Sequence, residues 1–165
     1  FKPTIETDIP SYLKDTKIDY VINTHLHVDH CENNNKFKNA VIIVQKDEYN
    51  AALNPEHEEI LSYPDSLNKN LNYKLIKGEF DLFNDGSIKL IPTPGHSKGH
   101  QSVLLELDDG KVFIAGDACY TKENLDENIL PGLLWNSDKV MESYGMIRKI
   151  SNSGAKVAFG HEELH

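Results

Sequence analysis

The sequence predicts a layered, mixed α/β domain, and three observations predict it. Short runs rich in β-branched residues recur, each closed by polar residues or glycine, which is the signature of strands. One later stretch instead repeats its apolar residues at helical spacing. Between two of the runs lies a tight Gly-containing turn, whereas others are separated by helical pieces that require crossovers.

In chain order, Ser11 to Lys17 reads as a short helix and Ile18 to Thr24 as the first strand. Ala40 to Gln45 is the next strand and Lys46 to Leu53 the next short helix. From Asp47 to Asn72 the chain is polar, with Pro55, Pro64 and a glutamate-rich patch, and is expected to form a helical or irregular surface excursion. Strands follow at Ile88 to Thr93, Gln101 to Leu107 and Lys111 to Ala115, the last two joined through Asp108-Asp109-Gly110 as a hairpin. Thr121 to Trp135 reads as an irregular loop that carries Leu133, Leu134 and Trp135, apolar side chains suited either to a pocket or to the core. Val140, Tyr144, Ile147 and Ile150 then mark a helix, with Asn136 or Ser137 to cap it and Gly154 to end it. Lys156 to Phe159 is the final strand. No repeat or low-complexity linker interrupts this order, so residues 1–165 are expected to form a single domain.

Size and charge narrow the functions. The 165 residues, 39% hydrophobic and 26% charged, are enough for one buried core. No apolar run reaches the roughly 20 residues of a membrane span, and the first ten residues do not resemble a signal peptide, so a soluble protein with no membrane partner is expected. A formal charge of −9 repels phosphate backbones, which argues against nucleic acid as a partner. Two cysteines, Cys31 and Cys119, are too few for a disulfide framework, and a cytoplasmic location is the default expectation. The sequence starts at Phe1 and stops at His165, so a fragment of a longer chain is expected.

The chemistry concentrates in His25-Leu26-His27-Val28-Asp29-His30, directly after an apolar run. Alternation in an extended segment aims His25 and His27 to one side, and a turn at Val28 and Asp29 brings Asp29 and His30 round to the same space. Imidazole and carboxylate suit Zn²⁺ or a similar divalent ion, and four donors within six residues exceed what one tetrahedral ion needs from a single segment. Three more candidate ligands, His96, Asp117 and His161, each stand just past an expected strand and just after a glycine. Separate strand ends can deliver such side chains to one point, and the glycine lets the backbone turn there. His57, His100 and His165 are expected to have structural or surface roles instead, and neither Cys31 nor Cys119 is expected to compete for metal.

This pattern resembles the metallo-β-lactamase superfamily, whose members bind one or two metals through a His-x-His-x-Asp-His stretch, a later Gly-His, a Gly-Asp and a final Gly-His. Within it the sequence is most similar to the N-acyl homoserine lactonases, through Thr93-Pro94-Gly95-His96-Ser97-Lys98-Gly99-His100-Gln101-Ser102 and through Asp117-Ala118-Cys119-Tyr120-Thr121-Lys122-Glu123-Asn124. The resemblance runs from about Ile18 to His161 and implies an αββα sandwich lacking its N-terminal strands, since only 24 residues precede His25. It further implies two Zn²⁺ per chain: one held by His25, His27 and His96, the other by Asp29, His30 and His161, with Asp117 bridging. The chain departs from the family in having Cys31 and Cys119 where small residues are usual, and Glu162 where an Asp commonly follows the last histidine.

The activity implied is opening of a lactone ring by a metal-bridging hydroxide, with a small-molecule ester or lactone as the substrate. Tyr120 is expected to stabilise the oxyanion, Asp29 to protonate the departing alkoxide, and Leu133, Leu134 and Trp135 to line part of an acyl groove. The same ligands would also serve a glyoxalase II-like thioesterase, a β-lactamase, a pyridoxolactonase, a mononuclear iron oxygenase or an inactive metal-binding fragment. Acyl preference, metal identity in the cell and oligomeric state leave no mark on the sequence.

Overall fold

The computed structural model describes residues 13, 16–56, 62–64 and 67–162. The helix expected over Ser11 to Lys17 lies largely outside these residues, as do His57 and His165. Two sheets organise the rest. Strands β1 (Tyr20–Ile22), β2 (Val41–Gln45) and β3 (Asn72–Ile76) form a parallel three-stranded sheet in that order. Strands β4 (Phe80–Asp81), β5 (Ile88–Pro92), β6 (Gln101–Leu107), β7 (Gly110–Gly116) and β8 (Lys156–Phe159) form a five-stranded sheet, antiparallel through β7, with β8 added parallel to β7.

Helices α1 (Val28–Cys31) and α2 (Lys46–Leu53) accompany the first sheet; α3 (Lys122–Glu127) and α4 (Ser137–Asn152) accompany the second. Three apolar clusters separate the layers. Leu26, Cys31, Val44, Ala51, Ala52 and Tyr63 lie between α2 and the first sheet. Ile43, Ile76 and Leu90 lie between the sheets, and Phe113, Ala115, Val140, Tyr144 and Ile147 lie between the second sheet and α4. The period-2 rule is visible within β2, where Val44 faces α2 while Ile43 faces the other sheet. The order helix, sheet, sheet, helix is the αββα layering the resemblance implies.

Three elements differ from the sequence expectation. Strand β3 begins where the polar excursion ends, and β4 is only two residues long. The segment after Thr121 is not irregular throughout, because Thr121 and Asn124 form a reciprocal capping box that starts α3. The hairpin is as expected, with Leu107 opposite Gly110. Asn136 rather than Ser137 caps α4, its side chain accepting from the Lys139 N–H at 2.9 Å. Among the described residues, no helix is long and apolar enough to cross a membrane.

Candidate metal centre

Topology brings the candidate residues to one edge. Because β5 and β7 both run antiparallel to β6, and β8 runs parallel to β7, the carboxyl ends of β5, β7 and β8 share a side of the sheet. His96, Asp117 and His161 leave from those ends, and His100 stands at the start of β6 on the same side. The first sheet is fastened there by the Gln101 N–H, which donates to the Thr24 carbonyl at 2.8 Å. His25 follows at once, and α1 turns Asp29 and His30 back toward it.

The glycines before the candidates do different things. Gly95 has φ +138°, and a Cβ there would stand 2.5 Å from the Val140 nitrogen on α4. Gly160 has no positive φ. The chain turns there as expected, but the glycine is needed for close approach, since a Cβ would stand 2.6 Å from the Gly116 carbonyl oxygen. That approach lets the Gly160 and His161 N–H groups donate to the carbonyls of Cys119 and Tyr120, which brings His161 over Asp117.

Asp117 Oδ2 lies 3.5 Å from Nε2 of His30, 3.5 Å from Nε2 of His96 and 3.7 Å from Nε2 of His161. Asp29 Oδ2 stands 3.4 Å from His30 Nε2. His25, His27 and His96 are buried and present ring nitrogens within 4.8 Å of one another; His25, His30 and Asp117 form a second such group, so His25 borders both. The exposed members are Asp29 and His161, with 72% and 55% of their side-chain surface accessible.

The donor chemistry fits divalent cations. His96 Nδ1 donates to the Leu133 carbonyl at 3.0 Å, leaving the Nε2 lone pair to face His27 Nδ1 at 3.0 Å, a contact that needs either a shared proton or a cation. His25 Nε2 is buried without a hydrogen-bond partner. Burial, reinforced by the neighbouring histidines, holds His25 far below its ordinary pKa and brings His27 down to about 4. Burial also lowers His96, so these rings are in the neutral form that binds metal. Burial opposes charge on His30 and Asp117 too, yet their mutual hydrogen bond and attraction prevail: His30 is raised and Asp117 is held at about 2.

Other expectations have mixed outcomes. His100 makes a hydrogen bond of the expected kind, Nδ1 with Thr93 Oγ1 at 2.9 Å, but it is fully buried beside His25 rather than merely opening a strand, and its Nε2 is buried without a hydrogen-bond partner. Burial pushes the Cys31 and Cys119 thiols up to about 12 and 11, and each donates to a backbone carbonyl, Leu26 and Thr121 respectively. Glu162, the departure after His161, accepts from the Lys122 N–H at 2.8 Å at the start of α3. Tyr120 lies against His161 with the two rings tilted by 51° and their centroids 4.2 Å apart, and its hydroxyl stands 3.5 Å from His96 Nδ1. Leu134 packs on the core, Leu133 is exposed, and Trp135 lies under Lys98 Nζ at 5.5 Å. The Leu133 carbonyl, which orients His96, had no signal in the sequence, since any residue type supplies one.

Comparison with known proteins gives this arrangement a lineage. The chain is 39% identical over 145 residues to an N-acyl homoserine lactonase of a Bacillus species, covering 87% of this chain and 55% of that one. It is 33% identical over 154 residues to the N-acyl homoserine lactonase AttM of Rhizobium johnstonii, covering 88% and 59%. Among solved structures, an N-acyl homoserine lactone hydrolase with N-hexanoyl-L-homoserine bound at its catalytic metal center superposes with a TM-score of 0.77 at 36% identity, over 86% of this chain and 55% of that one. A quorum-quenching N-acyl homoserine lactone hydrolase superposes with a TM-score of 0.83 at 34% identity, over 96% and 65%. The chain thus spans a little over half the length of the curated relatives it matches. The family model of the metallo-β-lactamase superfamily matches residues 5–161, nearly the whole sequence, and it is to this superfamily that the chain belongs.

Proposed function

We propose that this chain carries the metal centre of a dinuclear-zinc hydrolase that opens the ring of N-acyl homoserine lactones or of a similar lactone. The observation that carries the reading is the convergence of three imidazoles on Asp117 Oδ2, at 3.5, 3.5 and 3.7 Å: His30 from α1, and His96 and His161 from the ends of β5 and β8. In this reading His25, His27 and His96 would hold one ion and Asp29, His30 and His161 the other, with Asp117 shared between them. Zinc there supplies a nucleophile from water at neutral pH and a positive charge that polarises the ester carbonyl.

The chain's own groups do the rest. Burial, then the charges of Asp117 and Asp29, push the Tyr120 phenol up to about 12, so it stays protonated at neutral pH and can donate to the developing oxyanion. Asp29, on the exposed rim, would take up the proton of the water-derived nucleophile as it adds to the carbonyl and pass it to the departing alkoxide as the ring C–O bond breaks, giving the hydroxy acid. Leu133 and Trp135 receive the acyl tail. Leu134, packed on the core, holds their loop in place. The curated relatives named as N-acyl homoserine lactonases support this substrate class.

The test is to count metals in the purified protein and compare ring opening of N-hexanoyl homoserine lactone with cleavage of a β-lactam and of a thioester. Two zinc ions and a clear preference for the lactone are expected. Preference for either rival, or two bound metals with no lactone hydrolysis, overturns the assignment.

A further inference from the structure

Glu48 belongs to none of the roles above, yet it is fully buried in the first turn of α2, with four hydrogen bonds to its carboxylate. Oε1 accepts from the Leu26 N–H at 2.9 Å and from the Tyr63 hydroxyl at 3.1 Å. Oε2 accepts from Ser97 Oγ at 2.7 Å and from the Gly99 N–H at 2.9 Å. Leu26 lies between His25 and His27, and Tyr63 presents its ring edge-on to His27 at 4.9 Å. Ser97 and Gly99 lie one and three residues after His96. One carboxylate therefore ties together the two backbone segments that carry these three histidines.

All four partners are neutral donors, so no cation offsets the cost of burying this group. The loop also comes unusually close to the helix: a Cβ at Gly99 would stand 2.1 Å from the Glu48 backbone nitrogen, so no other residue fits there without moving α2. Such an arrangement fixes the two segments relative to each other and to α2.

We propose that Glu48 is a positioning residue for the metal centre, clamping the His25 to His27 segment against the His96 loop so that the three imidazoles are preorganised for a cation. The proposal rests on the metal-site reading given under Proposed function. Its chemistry is specific to a carboxylate. In Glu48→Gln the amide NH₂ must face one of the two donor pairs, and each pair contains a backbone N–H that cannot reverse, either Leu26 or Gly99. One of the two segments is then released.

The test titrates Zn²⁺ into the metal-free protein against a chromophoric chelator, with thermal melting measured in parallel. Glu48→Gln is expected to weaken zinc binding by 10- to 100-fold, the usual effect of losing a group that orients metal ligands. Ser97→Ala, which removes a single donor, is expected to weaken it several-fold and keeps the proposal falsifiable if Glu48→Gln does not fold. A lower melting temperature with unchanged zinc affinity in the folded variants overturns the clamp and makes Glu48 merely structural. Absence of zinc binding in the unsubstituted protein overturns the metal-site reading itself, and the clamp with it.

Discussion

Tyr120 shows how much one side chain can carry. Its ring is held against His161 and its hydroxyl stands beside His96 Nδ1, whose proton is already given to the Leu133 carbonyl, so the phenolic hydrogen is free to point elsewhere. Tyr120→Phe keeps the ring and deletes only that donor. Steady-state kinetics on a lactone should show kcat lower by about 10²-fold, with metal content unchanged. Equal kcat and KM in the variant would remove Tyr120 from the reaction. The residues that converge on Asp117 were legible in the sequence because histidine is sparse, four donors crowd into six residues from His25 to His30, and His96, Asp117 and His161 stand just past recognisable strands. Glu48 was not. It lies in a polar, glutamate-rich stretch that reads as a solvated face, and its partners are 15, 22, 49 and 51 residues away.

At the scale of elements, the site depends on the junction between α4 and the His96 loop. Asn136 caps α4 and also donates its own N–H to the Gly95 carbonyl, while Ser143 Oγ donates to the Pro94 carbonyl at 2.7 Å. Asn136→Ala loses the cap and should lower stability by about 1 kcal/mol, measured by denaturant melts. Gly95→Ala should be far more severe, since a methyl at φ +138° meets the α4 backbone at 2.5 Å. Reduced zinc retention together with a lower Tm is expected, and a variant that melts like the unsubstituted protein would show that the loop can slide away from α4. The strong strands and α4 were readable because their apolar residues keep one period over several turns or pleats. Strand β3 was not, because as an edge strand its Asn-Tyr-Lys-Leu-Ile pattern is half exposed, and neither was α3, a six-residue helix started by a capping box with Asn124 in place of the usual Glu or Gln.

For the molecule as a whole, the two sheets meet through polar as well as apolar contacts. Gln45 of β2 donates to Gln101 of β6 at 3.0 Å, and Gln101 reaches the Asn23 carbonyl at 2.9 Å, so the strand that leads into the HxHxDH segment is locked to the second sheet. Closing the layers over this edge buries several imidazoles together, and that gives the fold a pH dependence. Folding lowers His27 from the model-peptide value of 6.5 to about 4 and His100 to about 3, in both cases chiefly by burial. Between those values and 6.5 the unfolded chain binds protons that the folded chain refuses, so stability falls as the pH falls through that window, by on the order of 3 kcal/mol for His27 alone. His30, raised by Asp117 and Asp29 against its burial, and Glu48, raised by burial, act in the opposite direction. Denaturant melts of the metal-free protein at pH 7.5 and pH 5 should therefore give a lower midpoint at pH 5. Zinc, which needs the neutral imidazoles that folding already favours, should widen the difference by adding stability mainly at the higher pH. Equal midpoints at the two pH values without metal would mean that the histidines are more hydrated than their burial implies, and the preorganisation of the centre would then have to come from the bound ions.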